Sequence, residues 1–256
     1  MGIEVETSDG IAVVTLVNGK VNPITSGMHR DLLAALRAID ADPGVRVGIL
    51  TGAGERAFIA GADIAEYRDN RTKEFIAYQT ESRRIFDKLE ALPMPTVAAI
   101  KGYALGGGFE IALCCDVIVC AESARLGLPE GLLGLSPGGG GTQRLTRAVG
   151  KYVASDIMLC ARRITGERAF ALGIAAALCP DASLLETALE RARAMLKVAP
   201  QAQSAIKRLI RQGGDGALPL SQSFEQEVLF RLYGTEDAQE GIAAFLDKRN
   251  PVFKGR

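Results

Sequence analysis

Apolar positions along the first fifty residues change spacing twice, and the changes mark the elements. Residues 3–7 and 11–17 carry β-branched and aliphatic side chains around Ser8-Asp9-Gly10, which predicts two strands joined by a turn. After Asn22-Pro23 the spacing becomes Ile24, Met28, Leu32, Leu36, Ile39, that of an amphipathic helix. Thr25 or Ser26 suits its N-cap, and Asp42-Pro43-Gly44 stops it. VRVGILTG is a buried strand that ends in a glycine-rich loop running to Gly61. Residues 72–91 make a long helix ended by Pro93 and Pro95, TVAAIKG is another buried strand, and a short apolar helix follows three glycines. DVIVCAE and residues 124–128 supply two further strands. Three strand–loop–helix passages in 150 residues predict an α/β core without any fixed-period sequence repeat.

Beyond Gly150 the pattern turns helical, over 150–161, 166–173, 182–197, 200–212, 220–233 and 236–248, with at most one short strand near Ala175–Leu178. No linker separates the halves, so one domain with a helical C-terminal part is expected. A tail of this kind has to pack on its own core or on another subunit.

Composition narrows the function classes. Lys+Arg and Asp+Glu both number 30, so no net field favours nucleic acid or an anionic membrane, and an anionic ligand needs locally placed cations. The most apolar stretch, 96–120, is broken by Lys101, Glu110 and Asp116 and is not a membrane span. MGIEVETSDG lacks the basic and apolar segments of a signal peptide. Five cysteines (Cys114, Cys115, Cys120, Cys160, Cys179) without a C-x-x-C pair read as structural thiols in a reducing, cytoplasmic compartment. His29 alone supplies neither a metal site nor a Ser–His–Asp set, and reads as an exposed or capping side chain.

The candidate chemistry lies in three glycine-rich segments. In ERAFIAGADI, Gly61 permits a turn that points the Ala62 N–H into a cleft, although a plain strand-to-helix turn has the same sequence. Gly106-Gly107-Gly108 weakens a helix start by backbone entropy, which calls for a compensating need. Glu110 falls in the first turn after it. A first-turn acid is worth only ~0.3–1 kcal/mol to a helix dipole, but the apolar flanks of Glu110 imply burial, and a buried carboxylate without a task is costly. Glu130, after Pro129, is a second first-turn acid. The SPGGGGTQRL segment lacks the Lys of a phosphate-binding loop and opens another helix. Two carboxylates beside bare N–H groups can move protons next to a developing oxyanion.

Together, AFIAGADI, PTVAAIKGYALGGGFEIALCCDVIVCAESARLGLPEGLLGLSPGGGGTQRLTRAVG, ITGERAFALGIA and the terminal GIAAFLDKRNPVFKGR resemble the crotonase (enoyl-CoA hydratase/isomerase) superfamily over nearly the whole chain. The resemblance implies a spiral of ββα units over residues 1–195. Residues 196–256 would be a helical region of the same domain that builds a homotrimer or a hexameric dimer of trimers. It implies an acyl-CoA thioester as substrate, with no metal and no separate cofactor, and reversible hydration of a 2-enoyl-CoA. The other reactions it leaves are isomerisation, decarboxylation or thioester hydrolysis of an acyl-CoA, and a non-catalytic CoA- or RNA-binding homologue.

Matched by motif, Ala62 and Gly107 are the implied oxyanion donors, Glu110 the group that handles water, and Glu130 the one that delivers the C2 proton. The CoA contacts implied are the backbone at Ile59 and Ala60, the cations Lys20, Arg56 and Lys248, and Phe245, the last two reaching a neighbouring subunit. Ile59 and Gly131 depart from common family residues and would alter the pocket.

Overall fold

The computed structural model describes residues 2–69, 71–214 and 216–256. The chain opens with a hairpin in which β1 (Gly2–Ser8) and β2 (Ile11–Val17) pair antiparallel. Asp9 and Gly10, the two linking residues, both have positive φ, as a tight hairpin turn requires. Of the two N-cap candidates Thr25 takes the position for α1 (Ser26–Ala41), its Oγ1 accepting the Met28 N–H at 3.2 Å.

Three passages then follow one plan. β3 (Val47–Gly52) leads through β4 (Ala57–Ile59) to α2 (Ile64–Asp69) and α3 (Thr72–Ala91). β5 (Thr96–Ile100) leads through β6 (Tyr103–Leu105) to α4 (Gly107–Cys114). β7 (Val117–Ala121) leads through β8 (Arg125–Gly127) to a 3-10 turn, Glu130–Leu133, and α5 (Gly141–Val149). The chain continues with α6 (Lys151–Leu159), β9 (Ile164–Thr165), α7 (Gly166–Ala171), β10 (Ala177–Cys179) and α8 (Leu184–Leu196). The helices α9 (Pro200–Gly213), α10 (Leu218–Tyr233) and α11 (Glu236–Leu246) complete it.

In each passage the first strand joins a six-stranded sheet, β1-β2-β3-β5-β7-β10, and the second joins a four-stranded sheet, β4-β6-β8-β9. This is the expected spiral of ββα units. Two expectations need correction. The glycine-rich stretch before Gly61 contains β4, and the part after Gly150 contains two strands, β9 as well as β10. Elements of two or three residues show no periodicity of their own and exist through their partners, β6 for β4 and β8 for β9.

The large sheet is covered on both sides, so its parallel strands read as unbroken apolar runs. Successive residues serve opposite faces. Val97 and Ala99 pack toward Leu184, Ala188 and Ala192 of α8, while Ala98 and Ile100 join the main core with Leu32 and Leu36 of α1 and Leu89 of α3. Gly108 lets α4 lie directly on β4, since a Cβ there would stand 2.3 Å from the Ile59 carbonyl oxygen. By contrast α9 buries no residue and α10 only Val228, and this tail leaves Leu218, Leu220, Phe230 and Phe245 exposed. Lys207 of α9 moors it to the sheet, pairing with Asp116 at 2.8 Å and donating to the Met94 carbonyl at 3.1 Å. Among the described residues no helix is long and apolar enough to cross a membrane.

Candidate active site

The small sheet aims three segments at one place. β4, β6 and β8 lie side by side and parallel, with Ile59 opposite Ala104 and Leu105 opposite Gly127, so their C-terminal ends are level. From those ends the chain runs into Ala60-Gly61-Ala62, Gly106-Gly107 and Pro129-Glu130, all of which line one cavity of ≈ 520 Å³. The carboxyl ends of parallel strands are where α/β folds hold their ligands.

Ala62 and Gly107, the two expected backbone donors, both line this cavity. Ile24 donates its N–H to the Gly61 carbonyl at 2.8 Å and accepts the Asp63 N–H at 2.9 Å. In such a parallel bridge the N–H of the intervening residue points the other way, and that residue is Ala62. Gly61 makes the turn at φ +109°. Gly107 is the first residue of α4, so its N–H has no partner within the helix and sits at the positive end of the helix dipole.

Glu110 lies on the first turn of α4 and is buried, 3% exposed. Its Oε1 accepts the N–H groups of Gly139 and Gly141, both at 2.8 Å, which fixes the carboxylate and leaves Oε2 for the cavity. Arg144 secures that glycine loop, donating to the Gly139 carbonyl while its Nε pairs with Glu90 of α3 at 2.7 Å. Burial raises the Glu110 pKa, and the Gly141 and Gly139 N–H groups and the Arg144 charge oppose the rise.

Glu130 is held differently. It opens the 3-10 turn, and a Cβ at Gly106 would stand 3.1 Å from its Oε1, so the carboxyl group lies over the glycine that precedes α4. Its Oε2 is buried with no hydrogen-bond partner among the described residues. Burial first, and the charge of Glu110 as well, push its pKa up to about 7. Burial thus raises the pKa of both acids, and at Glu130 the charge of Glu110 adds to the rise.

The remaining expectations place as follows. Ala60 lines the cavity, although its N–H is taken by the Val21 carbonyl at 3.0 Å. Ile59 is fully buried against Gly108 and lines no part of the cavity, so its side chain shapes the seat of α4. Lys20 and Arg56 are exposed and outside the cavity lining. Phe245 borders a separate groove of ≈ 550 Å³ along α11, and Lys248 follows that helix at φ 55°. Gly131 faces open space, since a Cβ there would meet nothing within 4 Å, so it does not set the pocket width.

His29 is a correction. It is not an exposed or capping residue but 3% exposed, packed on the Tyr78 ring at 4.5 Å, and it lines the cavity. Burial, opposed by Glu66 and Glu81, lowers its pKa to about 4, so it is neutral near pH 7. The sequence did carry a signal: His29, Leu32, Leu33 and Leu36 share one helical face, and all are buried. Tyr67, Tyr78 and Ser82 also line the cavity and escaped notice. Tyr78, Ser82 and Phe86 fall at four-residue steps on α3, a stripe legible as a face but not as part of a site. Nothing local foretold that Gly139 and Gly141 would hold Glu110, about thirty residues before them. Of the cysteines, Cys160 is exposed, whereas Cys114, Cys120 and Cys179 are buried as expected.

Comparison with known proteins agrees with this geometry. The family described as enoyl-CoA hydratase/isomerase matches residues 6–256. The chain is 41% identical over 236 residues to the 2,3-dehydroadipyl-CoA hydratase of Escherichia coli, covering 92% of this chain and 91% of that protein. It is 36% identical over 253 residues to the short-chain-enoyl-CoA hydratase of Clostridium acetobutylicum, covering 98% and 97%. The crystal structure of an enoyl-CoA hydratase from Bacillus anthracis superposes with a TM-score of 0.96 at 35% identity, with full coverage of both chains. Sequence, fold and the cavity at the ends of β4, β6 and β8 converge, and the chain belongs to the enoyl-CoA hydratase/isomerase family.

Proposed function

We propose that this enzyme catalyses the reversible hydration of a 2-enoyl-CoA to a 3-hydroxyacyl-CoA. The observation that carries the reading is the meeting of Glu110, Glu130, Ala62 and Gly107 around one cavity. In the proposed mechanism the two N–H groups hold the thioester oxygen and stabilise the negative charge it gains as an enolate. Glu110, whose charged form is supported by two N–H groups, takes a proton from water as the water oxygen bonds to C3. Glu130, with a pKa near 7, enters protonated and gives its proton to C2 as the enolate collapses. A proton then passes from Glu110 back to Glu130 to restore the pair. Having two opposed acids favours hydration over reactions of the family that need only the oxyanion donors.

The relatives named above act on a short-chain enoyl-CoA and on 2,3-dehydroadipyl-CoA, which makes a short acyl group the first choice of substrate here. Acyl-CoA is the only small molecule the mechanism needs besides water. The exposed apolar side chains of α10 and α11 support assembly into trimers or hexamers, in which Phe245 and Lys248 would contact the CoA of a neighbour. Five free thiols fit a cytoplasmic setting, and β-oxidation is the natural process for such a reaction. The test is the loss of the conjugated thioester absorbance with crotonyl-CoA and longer enoyl-CoAs. Hydration that is abolished in Glu110→Gln supports the reading. Turnover of 3-enoyl or malonyl-type CoA esters in the absence of hydration would overturn it.

A further inference from the structure

One wall of the cavity is more polar than a hydrocarbon tail requires. His29, Ser82 and Tyr78 are each at most 9% exposed and all line it. The Ser82 Oγ lies 3.3 Å from His29 Nε2, and the Tyr78 hydroxyl donates to the Ile24 carbonyl at 3.0 Å. With Nε2 engaged by Ser82, the other ring nitrogen is the open one. His29 Nδ1 is buried and has no hydrogen-bond partner among the described residues. Buried polar atoms are normally paired, and leaving one unpaired costs about 1–3 kcal/mol. Because the residue lines a ligand cavity, the missing partner points to a group that arrives with the ligand, the ring turning to bring Nδ1 to it.

The position of this atom indicates which part of the ligand meets it. Phe86 borders the Glu110 end of the cavity: a Cβ at Gly139 would touch the Phe86 ring at 2.3 Å and Glu110 Oε2 at 2.7 Å. Ser82 lies four residues earlier on α3, hence about 6 Å further along the helix. The His29–Ser82 pair thus stands roughly one helical turn beyond the reacting carbons, where the end of a short acyl chain would lie.

We propose that His29 and Ser82 form a specificity subsite for an acyl chain whose far end carries a hydrogen-bonding oxygen, a hydroxyl, carbonyl or carboxylate, rather than a bare methyl. The proposal rests on the acyl-CoA reading above. With Ser82 donating to Nε2, the neutral ring carries its proton on Nδ1 and presents it to that oxygen. Glu66 and Glu81 are the charged groups that act on His29, and both are acidic, so an uncharged hydroxyl fits better than a carboxylate.

The experiment compares hexenoyl-CoA, ω-hydroxyhexenoyl-CoA and 2,3-dehydroadipyl-CoA as substrates of the wild-type enzyme, His29→Leu and Ser82→Ala. Calorimetric binding of the saturated hexanoyl- and ω-hydroxyhexanoyl-CoA runs in parallel. We expect wild-type kcat/KM for at least one oxygen-bearing substrate to exceed that for hexenoyl-CoA by about tenfold or more. His29→Leu should bring the ratio to about one, and Ser82→Ala should shift it the same way by less. Which oxygen-bearing arm leads identifies the hydroxyl or the carboxylate as the natural group. Hydration with equal preference for all three substrates, or equal loss on all three in both variants, would overturn the subsite and leave the hydratase reading intact. Selective binding of the ω-hydroxy ester without hydration of any substrate would do the reverse.

Discussion

Glu110 and Glu130 face the same cavity and are built into it in contrasting ways. Glu110 belongs to a helix sunk in the core, with one oxygen gripped by two N–H groups and a loop that Arg144 ties to α3. Glu130 sits on a 3-10 turn whose other residues are exposed, and one of its oxygens is buried without a partner. The first arrangement stabilises a charge in a place that resists charge. The second offsets burial with only its own backbone N–H, and its pKa is pushed up to about 7. In the proposed mechanism these surroundings make a base of one glutamate and an acid of the other.

The contrast can be broken at several points. Glu110→Gln removes the proposed base and should lower kcat by roughly 10³–10⁴-fold, read in a steady-state hydration assay. Glu130→Gln should lower it less, by about 10²-fold, because solvent can still protonate C2. If the two losses were reversed in size, the assigned roles would have to be exchanged.

The next effect is on stability against pH. A raised pKa in the folded state means that the stability linked to Glu130 is present below the unfolded value of 4.5 and is lost as pH rises through about 7. Glutamine does not titrate. Glu130→Gln should therefore raise Tm over wild type at pH 8, with the gain shrinking toward pH 4.5, in thermal melts across that range. A constant Tm difference would show that Glu130 is not held neutral by burial.

Two glycine substitutions test how tightly each acid is packed. Gly139→Ala forces a methyl onto the Phe86 ring and Glu110 Oε2 and should destabilise by about 1–3 kcal/mol in urea melts. Gly131→Ala, beside Glu130, meets nothing and should stay within about 0.5 kcal/mol of wild type in the same melts.

The same contrast explains what could be read from the sequence. The hairpin, α1 and α3 follow from spacing because each is long enough to declare a period. β4, β6 and β9 are too short for that, and only the neighbours across the sheet make them strands. The burial of Glu110 was legible in its apolar flanks. Its two donors were not, because Gly139 and Gly141 meet it through chain folding. By chemistry alone a lone histidine reads as solvated, whereas the position of His29 on the face of Leu33 and Leu36 points inward.

Gly108 gives the molecule a fixed gauge. With no side chain on Gly108, the gap between α4 and β4 is set by close contact with Ile59, its carbonyl and the root of its buried side chain, in an interior of low compressibility. Gly107 at the head of that helix and Ala62 just past the end of β4 hang from its two sides. Their separation is thus a manufacturing tolerance of this one packed contact. Substitutions elsewhere can reshape the tail end of the cavity without changing the calibre of the opening that would receive the thioester oxygen.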